Sequence, residues 1–230
     1  MPALPGMLSE IAITGSTACA LEADGSPRCW GFDDSGQAQA PTMAGFSQLA
    51  TTVELGCALN PQGLPACWGT SGAIRPPAEA FVQLAAGSGE CTCGLKQTGD
   101  VSCWGSVMSC QMVSRAPAGV KLSALAVGDV FACGIGTGGL PMCWGMDPPT
   151  PPAEKLQSLS ISPRQVCGLR VDHTAVCWAA AGANATTPPH DEHFREVRAG
   201  IDFACGLRES DGSVVCWGDD SFGQSTPPAR

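Results

Sequence analysis

The chain has 230 residues, a length that all-β sandwiches, barrels and propellers use for a single domain. An apolar content of 44% argues against intrinsic disorder, and a formal charge of −9 with only three lysines (Lys96, Lys121, Lys155) argues against a nucleic-acid-binding surface. No run approaches the roughly 18 uninterrupted apolar residues of a membrane span. Glycine (29) and proline (19) are abundant and charged residues make up only 14%, a balance that favours short strands joined by turns over helices.

In chain order the same unit recurs six times, over approximately 8–43, 44–78, 79–119, 120–153, 154–191 and 192–230, and residues 1–230 are read as one domain. Each unit opens on an apolar pair: Leu8-x-x-Ile11, Phe46-x-x-Leu49, Phe81-x-x-Leu84, Leu122-x-x-Leu125, Leu156-x-x-Leu159 and Phe194-x-x-Val197. A first cysteine follows, at Cys19, Cys57, Cys93, Cys133, Cys167 and Cys205. Ten residues later, eleven in the last unit, comes a cysteine that precedes a tryptophan: Cys29-Trp30, Cys67-Trp68, Cys103-Trp104, Cys143-Trp144, Cys177-Trp178 and Cys216-Trp217. Every unit thus predicts three strands, the first ending near a glycine (Gly15, Gly87, Gly128, Gly200). Proline pairs, such as 76–77 and 227–228, form extended links to the next unit. The architecture expected is all-β, a six-bladed β-propeller of repeats about 37 residues long.

Hairpin arithmetic sets the register. Opposed residues in an antiparallel hairpin have a constant sum, and pairing Cys19 with Cys29 centres a three-residue loop on Ala23-Asp24-Gly25. The last place of such a loop needs a left-handed residue; glycine fills it in four units and His173 in the fifth. In the sixth, the longer spacing centres a four-residue loop, Glu209 to Gly212. The same register sets each tryptophan opposite Ala18, Gly56, Thr92, Ala132, Val166 or Ala204. One face of each hairpin then carries the cysteine pair with Leu or Ile, and the other carries the tryptophan. Both faces are apolar, so the six tryptophans are expected in the core between neighbouring blades.

Three chemistries compete for 14 cysteines: disulfides, thiolate-bound metal and catalytic thiols. Zinc knuckles space their cysteines by two to four residues, and His173, His190 and His193 do not recur with the unit. No basic neighbour recurs to lower a thiol pKa. Disulfides across each hairpin fit best, which implies an oxidising compartment and an extracellular or cell-surface protein. Cys91 and Cys110, both in the third unit, are expected to form a seventh bridge; a free one would offer an intermolecular link. Met1-Pro2-Ala3-Leu4-Pro5 lacks the basic and apolar regions of a secretory signal, so an exported form is expected to be a mature chain without it.

Residues 19–37 and 205–224, with Cys-Ala/Gly-Leu, Cys-Trp-Gly and the steps Gly36-Gln37 and Gly223-Gln224, resemble the repeat of the regulator of chromosome condensation superfamily. Cys110-Gln111 keeps half of that step. The unit length and the Thr-Pro-Pro-Ala stretch at 226–229 are similar to the propeller-type β-lactamase inhibitory proteins. The cysteine pair in each unit resembles the extracellular propeller of plant Crinkly receptor kinases. The resemblance implies a propeller that acts as an exchange factor, an enzyme inhibitor or a receptor ectodomain. Those relatives carry seven blades where this chain has six repeats, and nucleotide exchange belongs to a reducing compartment.

Candidate ligand groups are few. Asp33-Asp34-Ser35-Gly36 and Asp219-Asp220-Ser221 offer oxygens of the kind calcium takes, and are also ordinary turn residues. His190-Asp191-Glu192-His193 is the densest cluster of metal-ligating types, in a connection between strands. Asn184-Ala185-Thr186 is a glycosylation sequon. No recurring Ser/His/Asp set, phosphate loop or carboxylate pair points to an enzyme, and no cofactor is implied. The expected function is recognition of a protein or peptide partner through rim loops. A self-assembling structural subunit is the alternative, and a lectin or enzyme with a funnel site is the third possibility.

Overall fold

Each repeat builds one antiparallel sheet of three strands in sequence order, because two tight connections of few residues leave no other pairing within reach. The computed structural model describes residues 8–14, 17–69, 75–87, 89–105, 107–179 and 182–227, without the side chains of 107–109. Gly15, Pro228 and Ala229, which figure in the expected turns and links, lie outside these residues. The chain divides into two compact units, residues 1–114 and 115–230.

The first unit holds three sheets, or blades. They are β1 (Leu8–Thr14), β2 (Thr17–Glu22) and β3 (Pro27–Gly31); β4 (Gln48–Thr51), β5 (Leu55–Leu59) and β6 (Pro65–Gly69); and β7 (Gln83–Ala86), β8 (Cys91–Leu95) and β9 (Val101–Gly105). A helix, α1 (Val107–Val113), follows β9. The second unit holds three more: β10 (Leu122–Val127), β11 (Phe131–Gly136) and β12 (Pro141–Gly145); β13 (Leu156–Ile161), β14 (Gln165–Arg170) and β15 (Ala175–Ala179); and β16 (Phe194–Ala199), β17 (Phe203–Arg208) and β18 (Val214–Gly218). The fold class is the expected one, an all-β six-bladed propeller with a stapled hairpin in each blade.

The hairpin register agrees with the arithmetic in all six blades. Cys19 faces Cys29 and Ala18 faces Trp30 in the first, and Cys205 faces Cys216 and Ala204 faces Trp217 in the sixth. Turn glycines adopt positive φ, 75° at Gly63, and His173 does the same at 69°. Four blades carry a bulge in the first strand, as between Leu156 and Ser158. That extra residue explains the apolar spacing of three: in a regular strand Leu156 and Leu159 would face opposite sides, and the bulge returns both to one side.

Within each unit the blades stack by one rule. The cysteine pair of a blade packs under the tryptophan of the next. Cys57 and Cys67 meet Phe81, Leu84 and Trp104, and Cys19 and Cys29 meet Phe46, Leu49 and Trp68. In the second unit Cys133 and Cys143 meet Leu156, Val166 and Trp178, while Cys167 and Cys177 meet Phe194, Val197 and Trp217. The Phe81 and Trp104 rings lie 5.5 Å apart at 34°, the tilted geometry that aromatic pairs favour.

Two expectations need correction. Helix α1 was not anticipated; it carries Cys110, bonded to Cys91 of β8, so a single covalent tie holds this short helix against the sheet. Trp30 was expected in the core but is 40% exposed, whereas Trp104, Trp144, Trp178 and Trp217 are buried and Trp68 is half-buried. Trp104, Trp178 and Trp217 each share an apolar cluster with the cysteine pair of the blade before, and Trp30 is in none of these clusters.

Candidate interaction surface

The seven cysteine pairs are bonded: 19–29, 57–67, 93–103, 133–143, 167–177, 205–216 and 91–110. Cys91, Cys93 and Cys103 have their sulfurs close enough to suit a metal, but Cys93 is bonded to Cys103 and Cys91 to Cys110, so no thiolate remains there to ligate one.

The loops after the third strand of the first and sixth blades share one construction. In the first, the Asp33 carboxylate accepts from Ala38 N–H and Gln39 Nε2, and Gln37 Oε1 accepts from Ser35 N–H. In the sixth, Asp220 accepts from Ser225 N–H and Thr226 Oγ1, Asp219 from Ser221 Oγ and Gln224 Nε2, and Gln224 Oε1 from Phe222 N–H. These carboxylates close their own turns, which is the turn reading of both acidic segments. Hydrogen bonds from Ser221 and Thr226 hold Asp219 and Asp220 below the usual carboxylate range.

Sequence reasoning missed what these loops display. Phe222 is 93% exposed at the tip of the sixth-blade loop, and Phe32, two residues after Trp30, is 52% exposed. With no tyrosine in the chain and the tryptophans assigned to the interior, an aromatic contact seemed missing from the surface. The signal lay in the loops themselves: a phenylalanine in a turn closed by aspartate has no hydrophobic neighbour in sequence to fold against.

The histidine cluster does not assemble. His190, Asp191 and His193 are exposed, and the Glu192 carboxylate is taken by Arg208 Nε and Nη2 at 2.7 Å each. That hydrogen bond is the main cause that raises the Arg208 pKa. Asn184 is exposed. An open cleft of about 260 Å³ is lined by Arg170, Thr174, Cys177, Thr186, Pro189 and His190. Arg170 is engaged bidentately by Glu154, so its charge is already matched. Among the described residues no helix is long and apolar enough to cross a membrane.

Fold and surface together define a class: a disulfide-stapled β-propeller. Residues 194–224, the sixth blade, match the model of the Regulator of chromosome condensation (RCC1) repeat. The entire ectodomain of the receptor kinase CR4 from Physcomitrella patens is 25% identical, with a TM-score of 0.79 over 95% of this chain and 63% of that one. The CRINKLY WD40 ectodomain of the receptor kinase ACR4 from Arabidopsis thaliana is 28% identical, with a TM-score of 0.71 over 93% of this chain and 81% of that one. Prp20p from Saccharomyces cerevisiae, at 16% identity and a TM-score of 0.73 over 95% of this chain and 72% of that one, shares the fold. The chain therefore spans less than two thirds of the CR4 ectodomain.

Proposed function

We propose that this protein is an extracellular, non-catalytic recognition module that binds a protein or peptide through loops such as residues 219–226. The observation that carries this reading is Phe222, a solvent-facing aromatic on a loop whose own hydrogen bonds hold it in shape. Aromatic anchors on pre-ordered loops dominate binding because they bury a large area at little entropic cost. Seven disulfides favour an oxidising compartment. Two of the similar structures are receptor ectodomains, and Prp20p is described with binding properties to Gsp1p and histones.

The test is affinity capture with the oxidised full chain from the secreted or surface fraction of its source, followed by measurement with the purified partner. Phe222→Ala is expected to weaken binding at least tenfold and leave the melting temperature unchanged, since the side chain is 93% exposed. If no partner is retained by fully oxidised protein, or if Phe222→Ala binds as tightly as the parent, the reading fails.

A further inference from the structure

The edge of a sheet presents a row of unpaired backbone groups, and the third strand of every blade stands at such an edge. Which groups point outward follows from the register. In the fifth blade Arg170 N–H donates to the Thr174 carbonyl at 2.9 Å, which turns Thr174 toward β14. Alternation along the strand then turns the N–H and carbonyl of Ala175 and of Cys177 away from β14. The Cα atoms of Cys167 and Cys177 lie 4.1 Å apart, the short spacing of a pair that exchanges no backbone bonds.

The blades differ at this edge. Ala175 pairs with Leu169, and the same register holds Pro27, Pro65 and Pro141 in the first, second and fourth blades. Proline has no N–H, so those edges lack the outward donor that a further strand would use. The third blade has Val101 there, and α1 follows its last strand and is bonded back to the sheet through Cys110. The fifth blade keeps the donor, on Ala175.

The open cleft of about 260 Å³ borders this edge, lined by Ala175, Val176 and Cys177 of β15 and by residues 185–190 of the connection to the sixth blade. Among the described residues no backbone hydrogen bond joins 185–190 to β15. The polar side chains of the cleft are largely spent within the fold. Arg170 is held by Glu154 and donates to the Ala175 carbonyl at 2.7 Å, Thr174 donates to Asp172, and Thr186 donates to Gln165. What the edge still offers is backbone: the N–H groups of Ala175 and Cys177 and the Cys177 carbonyl. An occupant must present two acceptors and a donor at the strand repeat of about 3.4 Å per residue, which is the pattern of an extended peptide.

We infer that β15 takes an extended peptide segment of a partner protein as a fourth strand. The N–H groups of Ala175 and Cys177 donate to carbonyls of the segment, and the Cys177 carbonyl accepts from one of its N–H groups. Backbone pairing supplies the affinity, so the segment is an unfolded stretch without proline at the paired positions. Four strands are the usual content of a propeller blade, and the added segment brings the fifth blade to that number. The contact is separate from recognition through Phe222.

Selection from a random library of short linear peptides on the immobilised, fully oxidised full chain supplies the probe, and the Kd of the enriched peptide is then measured. Ala175→Pro installs the residue that three other blades carry at this register, so the melting temperature is expected to stay at the parent value. Binding of the peptide is expected to weaken at least tenfold, and Phe222→Ala is expected to leave it unchanged. Amide exchange followed by NMR reads the same contact without a substitution: the Ala175 and Cys177 amides are expected to exchange fast in the free protein and slowly with peptide bound. A library that yields no binder, a peptide that binds Ala175→Pro as tightly as the parent, or one that protects neither amide overturns the inference. Protection of both amides in a dimer without peptide would give the edge to a second copy and overturns it as well. A peptide lost with Phe222→Ala but retained by Ala175→Pro would overturn this site and support the 219–226 loop instead.

Discussion

At Gly63 two demands meet in one residue. Its φ of 75° lies in the left-handed region, and a Cβ there would sit 2.7 Å from the Phe81 carbonyl oxygen of the next blade. The glycine carbonyl also accepts from Phe81 N–H at 2.8 Å, so the backbone cannot withdraw. Gly63→Ala is expected to cost about 1–3 kcal/mol, read from denaturant midpoints; a loss within error would mean that the turn relaxes freely. Neighbouring turns contain aspartates whose pKa values are depressed, by the Ser26 backbone N–H at Asp24 and by hydroxyls of Thr174 at Asp172 and Ser213 at Asp211. A folded pKa below the unfolded value of about 3.9 adds stability that is complete above that value and is lost as pH falls through the folded one. Stability should therefore hold from neutral pH to about pH 5 and decline below about pH 4. Asp172→Asn with Asp211→Asn should flatten that decline, and an unchanged acid slope would refute the attribution.

Within an element, the hairpin and its staple act together. Removing one bridge with Cys57→Ala and Cys67→Ala is expected to cost about 3 kcal/mol, from the entropy returned to a loop of ten residues in the unfolded chain. An unchanged unfolding midpoint would show that the strands need no clamp. Tryptophans separate by position rather than type. Trp104→Ala, which empties a site against Cys57, Leu59 and Phe81, is expected to cost about 3–5 kcal/mol. Trp30→Ala, at a 40% exposed side chain, is expected to cost less than about 1 kcal/mol. Equal losses would mean that the indole of the first blade is covered after all. Hairpins were legible in the sequence because both partners lie within about a dozen residues and the loop glycine checks the register. Helix α1 was not, since Val107 to Val113 holds neither a period of two nor a full helical stripe, and its place depends on a bond to Cys91.

For the whole molecule, the two units are each a short stack in which a blade depends on its neighbour, so stability accumulates along the repeat. Seven bridges remove two hydrogens each, and the intact mass of the native protein should lie about 14 Da below that of the reduced chain. A smaller difference, or peptide maps joining distant repeats, would contradict the pairing. Calcium is expected to leave the melting temperature unchanged, because the carboxylates of Asp33, Asp219 and Asp220 already accept from their own loops. A rise in melting temperature on titration would reopen the metal reading of those loops.

Sequence alone determined the repeat, the register, the cysteine pairing and which side of each hairpin holds the indole. All of these follow from contacts local along the chain, where spacing is geometry. Tertiary structure decided what stands across each junction: that Gln37 serves Trp68, that Trp30 lies open, and that Phe222 projects to solvent. Those outcomes join residues some thirty positions apart, or depend on packing beyond the repeat, and no periodicity within one repeat records its surroundings.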